Sequence, residues 1–117
     1  MKIIHIYDKI YRVNIYVSYG HPRDYFIKDV KCNVKQNIKL DEKATGHMHY
    51  FRKDNSDIYW VWTEKKSLSV LLHEFLHVTA YVLMDRGIKM TWNNHEPFCY
   101  YQQFLFNEFL MKGGKNK

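Results

Sequence analysis

Cysteine is scarce in this chain of 117 residues, which contains only Cys32 and Cys99. Two cysteines so far apart in sequence provide neither a disulfide framework nor a four-thiolate zinc site. Disulfides belong to oxidising compartments, so we expect both side chains to be reduced thiols in a reducing one.

The chain also shows no targeting segment, linker or repeat. Its first residues, MKIIHIYDKIYR, have neither the apolar core nor the small-residue cleavage site of a signal peptide. No apolar run approaches the length that spans a membrane, so we expect a cytoplasmic protein without a membrane partner. The length predicts a single domain over residues 1–112, followed by a flexible basic tail over residues 113–117.

Positive charge is in excess, with a formal net charge of +6 at pH 7. The lysines are scattered, and they do not alternate with arginine and aromatic residues as in most nucleic-acid-binding surfaces. Only the net charge suggests a nucleic-acid partner, so we expect that nucleic acid is not a partner of this chain.

Hydrophobic periodicity predicts an α+β fold with a small, mostly antiparallel sheet, one early helix and two packed C-terminal helices. Residues 1–19 alternate as a β-hairpin, and residues 47–63 form a second hairpin around residues 53–56. Between them, residues 22–34 have helical spacing. The two C-terminal helices are predicted over residues 67–86 and 94–111, with Ser67 and Asn94 as N-caps and Gly87 ending the first.

The segment LLHEFLHVTAY, residues 71–81, carries the most informative pattern. His73 and His77 lie four residues apart, so both imidazoles project from one helix face and can reach one metal ion. Glu74 is offset from the pair, where it can act as a proton acceptor without being a ligand. A chance match is expected about 0.02 times in such a chain. Most neighbours on this helix are apolar, and we therefore expect it to be buried nearly all round.

A catalytic zinc ion usually has three protein ligands and one open position, so the sequence must provide a third ligand. The extended motif with a third histidine is absent, because Leu83 occupies its place. Glu96, in NNHEPF, is the better candidate for the third ligand, since it opens the next helix and completes a two-histidine, one-carboxylate set. His95 is the rival ligand.

HEFLH followed by NHEPF resembles the gluzincin arrangement of zincin metallopeptidases. The segment from residue 58 to 106 is also similar to small HExxH proteins of phages and integrated elements. The resemblance implies a Zn²⁺ ion held by His73, His77 and Glu96, with Glu74 as the general base of peptide-bond hydrolysis. The alternative function is a non-catalytic, zinc-stabilised binding or inhibitor protein.

The resemblance also implies that the strand before the motif helix, residues 58–63, is a sheet edge that pairs with an extended peptide or protein substrate. Equally, Trp60 and Trp62 on that strand could be core or self-association residues. Tyr100 lies one turn after Glu96, where it could donate to an oxyanion, orient Glu96 or pack in the core. We interpret the two histidines at positions 47 and 49 as surface or cleft-lining residues.

Overall fold

The computed structural model describes residues 2–114, and these form an α+β fold, as the sequence predicts. Four strands make one sheet: β1 (Ile4–Asp8), β2 (Val13–Tyr19), β3 (Gly46–Lys53) and β4 (Ser56–Thr63). The helices are α1 (Arg23–Val34), α2 (Leu68–Asp85) and α3 (Glu96–Phe109), and α3 is followed by a kinked segment, Leu110–Gly114. Most of the predicted basic tail, residues 115–117, lies outside the described residues.

The sheet is mostly antiparallel, with the strand order β1-β2-β4-β3. β1 pairs with β2 and β3 pairs with β4 as two antiparallel hairpins, while β2 and β4 run parallel. The second hairpin turns at Asp54 and Asn55, whose φ angles of 52° and 63° lie in the left-handed region that such tight turns require. Both predicted hairpins are therefore confirmed.

The expectation that residues 58–63 form a sheet edge is wrong. β4 is hydrogen-bonded to β2 along one side and to β3 along the other, so its backbone groups are already paired within the chain. Among residues 2–114, the outer strands are β1 and β3. An extended partner can therefore add to β3, and not to β4.

Helices cover both faces of the sheet. α1 packs on one face against the two tryptophans of β4, which are 1% and 0% exposed. The Trp60 indole donates to Ser18 Oγ (2.9 Å) and the Trp62 indole donates to the carbonyl of His21 (2.8 Å). These tryptophans are thus core residues. α2 and α3 pack on the other face against the alternate side chains of β1, β2 and β4.

Short-range capping signals fix both ends of α2. Ser67 Oγ accepts a hydrogen bond from the backbone N–H of Val70 (3.3 Å) at the start of the helix. At its end Gly87 adopts a φ of +79°, and the N–H groups of Gly87 and Ile88 donate to the carbonyls of Met84 and Leu83. This is a Schellman motif, which only glycine adopts without strain. The predicted bounds of α2 are confirmed within a residue.

The prediction that α2 is buried all round is wrong. Seven of its residues are buried, but the opposite face is open to solvent, although it carries apolar side chains such as Leu76 and Met84. By length and composition alone α2 would also be apolar enough to cross a membrane. Its buried face packs in the core, and the core helix of a soluble protein passes the same test.

α3 begins two residues later than predicted, with His95 and not Asn94 as its N-cap. The Asn94 side chain instead donates to the carbonyl of Lys89 (3.0 Å), within the turn before the helix. Further along α3 the buried Tyr101 hydroxyl donates to Asp8 Oδ2 (2.7 Å) and ties the helix to the end of β1. Burial raises the pKa of Tyr101, so it remains a proton donor.

Candidate metal centre

The two motif histidines of α2 lie side by side on its solvent-exposed face. The Nε2 atoms of His73 and His77 are 3.3 Å apart, and the two rings are nearly perpendicular. Two imidazole nitrogens bound at about 2.0–2.1 Å to a tetrahedral zinc ion are about 3.3 Å apart. The pair therefore has the spacing that a zinc ion requires. The same spacing also allows one Nε2–H to donate to the other ring.

Glu74 lies between the histidine face and the core. It is 7% exposed, whereas both histidines are exposed. Burial raises the pKa of the Glu74 carboxyl, and the nearby His73 and His77 partly oppose this shift. α2 thus places a carboxyl group of increased basicity beside the two imidazole nitrogens.

Gly46, at the start of β3, allows the strand to approach Glu74 closely. A β-carbon at this position would lie 2.5 Å from Val70 Cγ1 and 3.1 Å from Glu74 Oε2. Two open cavities of about 300 and 440 Å³ lie on either side of this contact, and Gly46 and Glu74 line both. His77 borders the smaller cavity and His73 the larger one.

The outer edge of β3 presents backbone groups next to these cavities. The N–H of Glu64, just after β4, donates to the carbonyl of Thr45, just before β3 (2.9 Å), which makes these residues a hydrogen-bonded pair. In an antiparallel ladder such pairs alternate with pairs whose N–H and C=O groups point outward. The register Gly46↔Thr63 and Met48↔Val61 therefore turns the backbone groups of Gly46 and Met48 toward the free edge.

The other predicted site residues are placed elsewhere. Glu96 and its rival His95 are exposed at the start of α3, where His95 Nδ1 lies 3.3 Å from the carbonyl of Thr91. Within residues 2–114 no three His, Cys, Asp or Glu side chains are grouped closely enough to hold a metal ion together. The structure thus brings His73 and His77 into contact and places Glu74 in the lining of the cavities beside them, and it does not group Glu96 with the pair. Tyr100 is also exposed and lines a separate cavity with Asp8, Tyr11, Leu83, Pro97, Tyr101 and Phe104.

The histidines of β3 belong to the opposite sheet face from the motif pair, although His47 also borders the smaller cavity with Glu74 and His77. His47 pairs with Trp62 and His49 with Trp60, and directly opposed residues of an antiparallel pair share a sheet face. That face is the one covered by α1. The two imidazoles lie beside each other, with Nε2 of His47 3.5 Å from Nδ1 of His49.

Sequence reasoning missed two residues that shape this site, Gly46 and Tyr81. Tyr81 lies one turn after His77 and lines the smaller cavity with it. Tyr81 is four residues after His77, and this helical spacing could have identified it from the sequence as a neighbour of His77. The role of Gly46 depends on the packing of β3 against α2, which no local pattern reports.

Comparison of the chain with protein-family models, with curated proteins and with solved structures gives no match.

Proposed function

We propose that this protein is a zinc-dependent metallopeptidase that hydrolyses peptide bonds with Glu74 as the general base. The observation that carries the proposal is the 3.3 Å separation of the His73 and His77 Nε2 atoms, with a buried carboxylate at the next position. A histidine pair of this spacing fits zinc, and the adjacent carboxylate fits a proton acceptor that is not itself a ligand.

His73 and His77 would hold the ion, and Glu96 is the third ligand that we propose. Recruiting Glu96 requires residues 89–96 to rearrange, because Glu96 is not grouped with the pair. The exposure of residues 89–96 supports this, since no packed core opposes such a movement. When bound, zinc supplies Lewis-acid activation of water and of the scissile carbonyl.

Glu74 provides the proton transfers of the reaction. Its carboxylate takes one proton from the attacking water as the remaining hydroxide adds to the carbonyl carbon. The carboxyl group then gives that proton to the amide nitrogen as the C–N bond breaks, and a free amine leaves. The burial of Glu74 supports this role because it keeps the carboxylate at one place beside the histidine pair.

The proposed substrate is an extended peptide that adds to the outer edge of β3. The outward backbone groups of Gly46 and Met48 lie beside the cavities at Glu74 and the histidine pair. Backbone pairing of this kind gives affinity with little sequence selectivity. The absence of a side chain at Gly46 lets β3 lie close to Glu74, which places this strand edge next to the carboxylate.

Glu74→Gln is the experiment that tests the general base. The change keeps the size of the side chain but removes the proton acceptor, so cleavage of an unstructured protein such as casein should fall by about 10²-fold or more. Zinc content and melting temperature, measured on the same preparation, should stay close to those of the wild type. Glu108→Gln, a change on α3, is the matched control and should leave cleavage unchanged. Full activity in Glu74→Gln would contradict the mechanism.

The second candidate is a zinc-stabilised binding protein without catalysis. One observation favours it, namely that Glu96 is not grouped with the histidine pair. Such a protein would bind zinc and lose stability on chelation, but neither wild type nor Glu74→Gln would cleave peptides. Zinc-dependent cleavage by the wild type alone therefore distinguishes the enzyme from this alternative.

A further inference from the structure

The face of α2 that carries the histidine pair is unusually apolar for an exposed surface. Leu76 is 45% exposed, Tyr81 58% and Met84 59%, and they surround His73 and His77 on the outer side of the helix. Several exposed apolar side chains on one helix are a feature of surfaces that contact another molecule.

A partner that covers this face would also meet an incomplete metal site. His73 and His77 can fill two of the four positions of a tetrahedral zinc ion. Across residues 2–114, no third His, Cys, Asp or Glu side chain is grouped with them. A second copy of the chain carries an identical pair at the same place on its own α2.

We propose that two copies dock through the outer faces of α2, antiparallel and across a two-fold axis, so that one zinc ion is shared. His73 and His77 of each copy would together fill all four positions. The proposal rests on zinc binding by this pair, as does the proposed function. It adds a closed form of the site, in which the partner's histidines fill the two zinc coordination positions otherwise left for Glu96 and water.

Charge complementarity supports the antiparallel orientation. The midpoint of the histidine pair is position 75, so Lys65 and Asp85 lie at equal sequence distances on either side of it. Lys65 precedes the N-cap of α2, so a two-fold axis through that midpoint brings the segment before each helix toward the C-terminal end of the other helix, where Asp85 lies. Lys65 is exposed, and the Asp85 side chain is 70% exposed, with Arg86 Nη1 3.4 Å from its Oδ2. A parallel arrangement would instead bring like charges together.

The outer face of α2 is too small to hold a dimer together by apolar contact alone, so we expect the dimer to require zinc. α2 has 18 residues and is therefore about 27 Å long. A contact strip about 10 Å wide, the diameter of a helix, covers only about 270 Å² on each copy, against about 800 Å² in a stable protein interface. The apolar contact alone should therefore be too weak, and removal of zinc should return the protein to monomers.

The dimer would also regulate the site. Zinc shared by four imidazoles has no open position, and the second α2 would cover the cavities beside Glu74. A shortage of zinc relative to protein would favour this closed form, whereas more zinc would favour one ion per chain and an open site.

Sedimentation velocity and calorimetric titration on the same zinc-free preparation test the proposal. Without zinc the chain should sediment as a monomer of 14.3 kDa. At half an equivalent of zinc it should sediment at twice that mass, and the titration should show a first transition at one zinc per two chains. Chelation should reverse both changes.

Two variants separate the interface from the metal ligands. Leu76→Lys places a charge in the contact without adding a metal ligand, and it should prevent the dimer while zinc still binds one ion per monomer. Tyr25→Lys, at a similarly exposed aromatic residue on α1, is the matched control and should dimerise like the wild type.

Each failure has a distinct meaning. Zinc bound only at one ion per monomer by the wild type would overturn the dimer and leave the proposed function intact. A zinc-bridged dimer that persists in Leu76→Lys would overturn the proposed interface. No zinc binding by the wild type would overturn both proposals.

Discussion

Gly46→Ala is expected to destabilise the protein by forcing β3 away from α2. The new β-carbon would lie 2.5 Å from Val70 Cγ1, about 1 Å closer than carbon atoms normally pack, and 3.3 Å from the carbonyl oxygen of Trp62. The contact lies between a strand and a helix that both belong to the folded core, so relief requires one of them to shift. Overpacking of this kind typically costs about 1–3 kcal/mol.

The measurement is urea and thermal unfolding of zinc-free protein followed by circular dichroism. The free energy of unfolding should fall by about 1–3 kcal/mol, which for a domain of this size lowers Tm by about 4 °C per kcal/mol. Gly46 does not have a positive φ, unlike Gly20, Gly87 and Gly113, so the loss cannot be assigned to left-handed backbone strain.

Val70→Ala provides the matched control, because it removes the methyl group that the new β-carbon would meet first. The double variant should be less destabilised than the sum of the two single variants, with a coupling of about 1 kcal/mol. Unchanged stability in Gly46→Ala, or strict additivity in the double variant, would refute the close contact between β3 and the helix that carries Glu74.

The third ligand, a buried histidine and the Asp8–Tyr101 hydrogen bond each give a further prediction. Glu96→Ala should weaken zinc binding in a calorimetric titration far more than His95→Ala, and the reverse order would contradict the proposed ligand set. Burial lowers the pKa of His21, so the unfolded chain gains a proton below about pH 6.5 that the folded chain excludes. Between pH 7 and 5.5 the free energy of unfolding should therefore fall more steeply in the wild type than in His21→Phe, and equal slopes would count against this reasoning. Tyr101→Phe removes a buried donor to Asp8 and should cost about 1–3 kcal/mol in urea unfolding, whereas no loss would show that the bond contributes nothing.

Local signals predicted the elements of this fold well. Ser67 and Gly87 marked the ends of α2 because capping depends on backbone groups within a few residues of each other. Alternation likewise predicted a strand at β2, and Val13, Ile15 and Val17, which share one side of it, are all 0% exposed. Capping and alternation depend only on residues that are close together in the sequence, so the sequence alone predicts them.

Strand order was not available from the same signals. The parallel pairing of β2 with β4 joins distant parts of the chain, and it makes β4 an interior strand. Alternation reports which face of a strand is buried, but not which strand lies beside it. The expectation of a free edge at residues 58–63 came from the resemblance to zincins, whereas β3 is the edge strand beside the site.

The exposure of α2 was missed for a related reason. Leu76, Tyr81 and Met84 made the helix look apolar on every side, and a helical wheel cannot show that no element of residues 2–114 buries them. The histidine pair itself was predicted, because i, i+4 spacing alone brings two imidazoles together on a helix. The ligand from α3 depends on tertiary packing, and it stays a prediction.

Zinc binding by wild type and single histidine variants is the most direct test of the central claim. Zinc-free protein would be titrated with Zn²⁺ in a calorimeter, together with His73→Asn, His77→Asn and the control His47→Asn. Our account predicts stoichiometric binding by the wild type and the control, at one ion per chain or one per two chains, and a loss of at least tenfold in affinity in each motif variant. A wild type that binds no zinc, or motif variants that bind it as tightly as the wild type, would contradict the account.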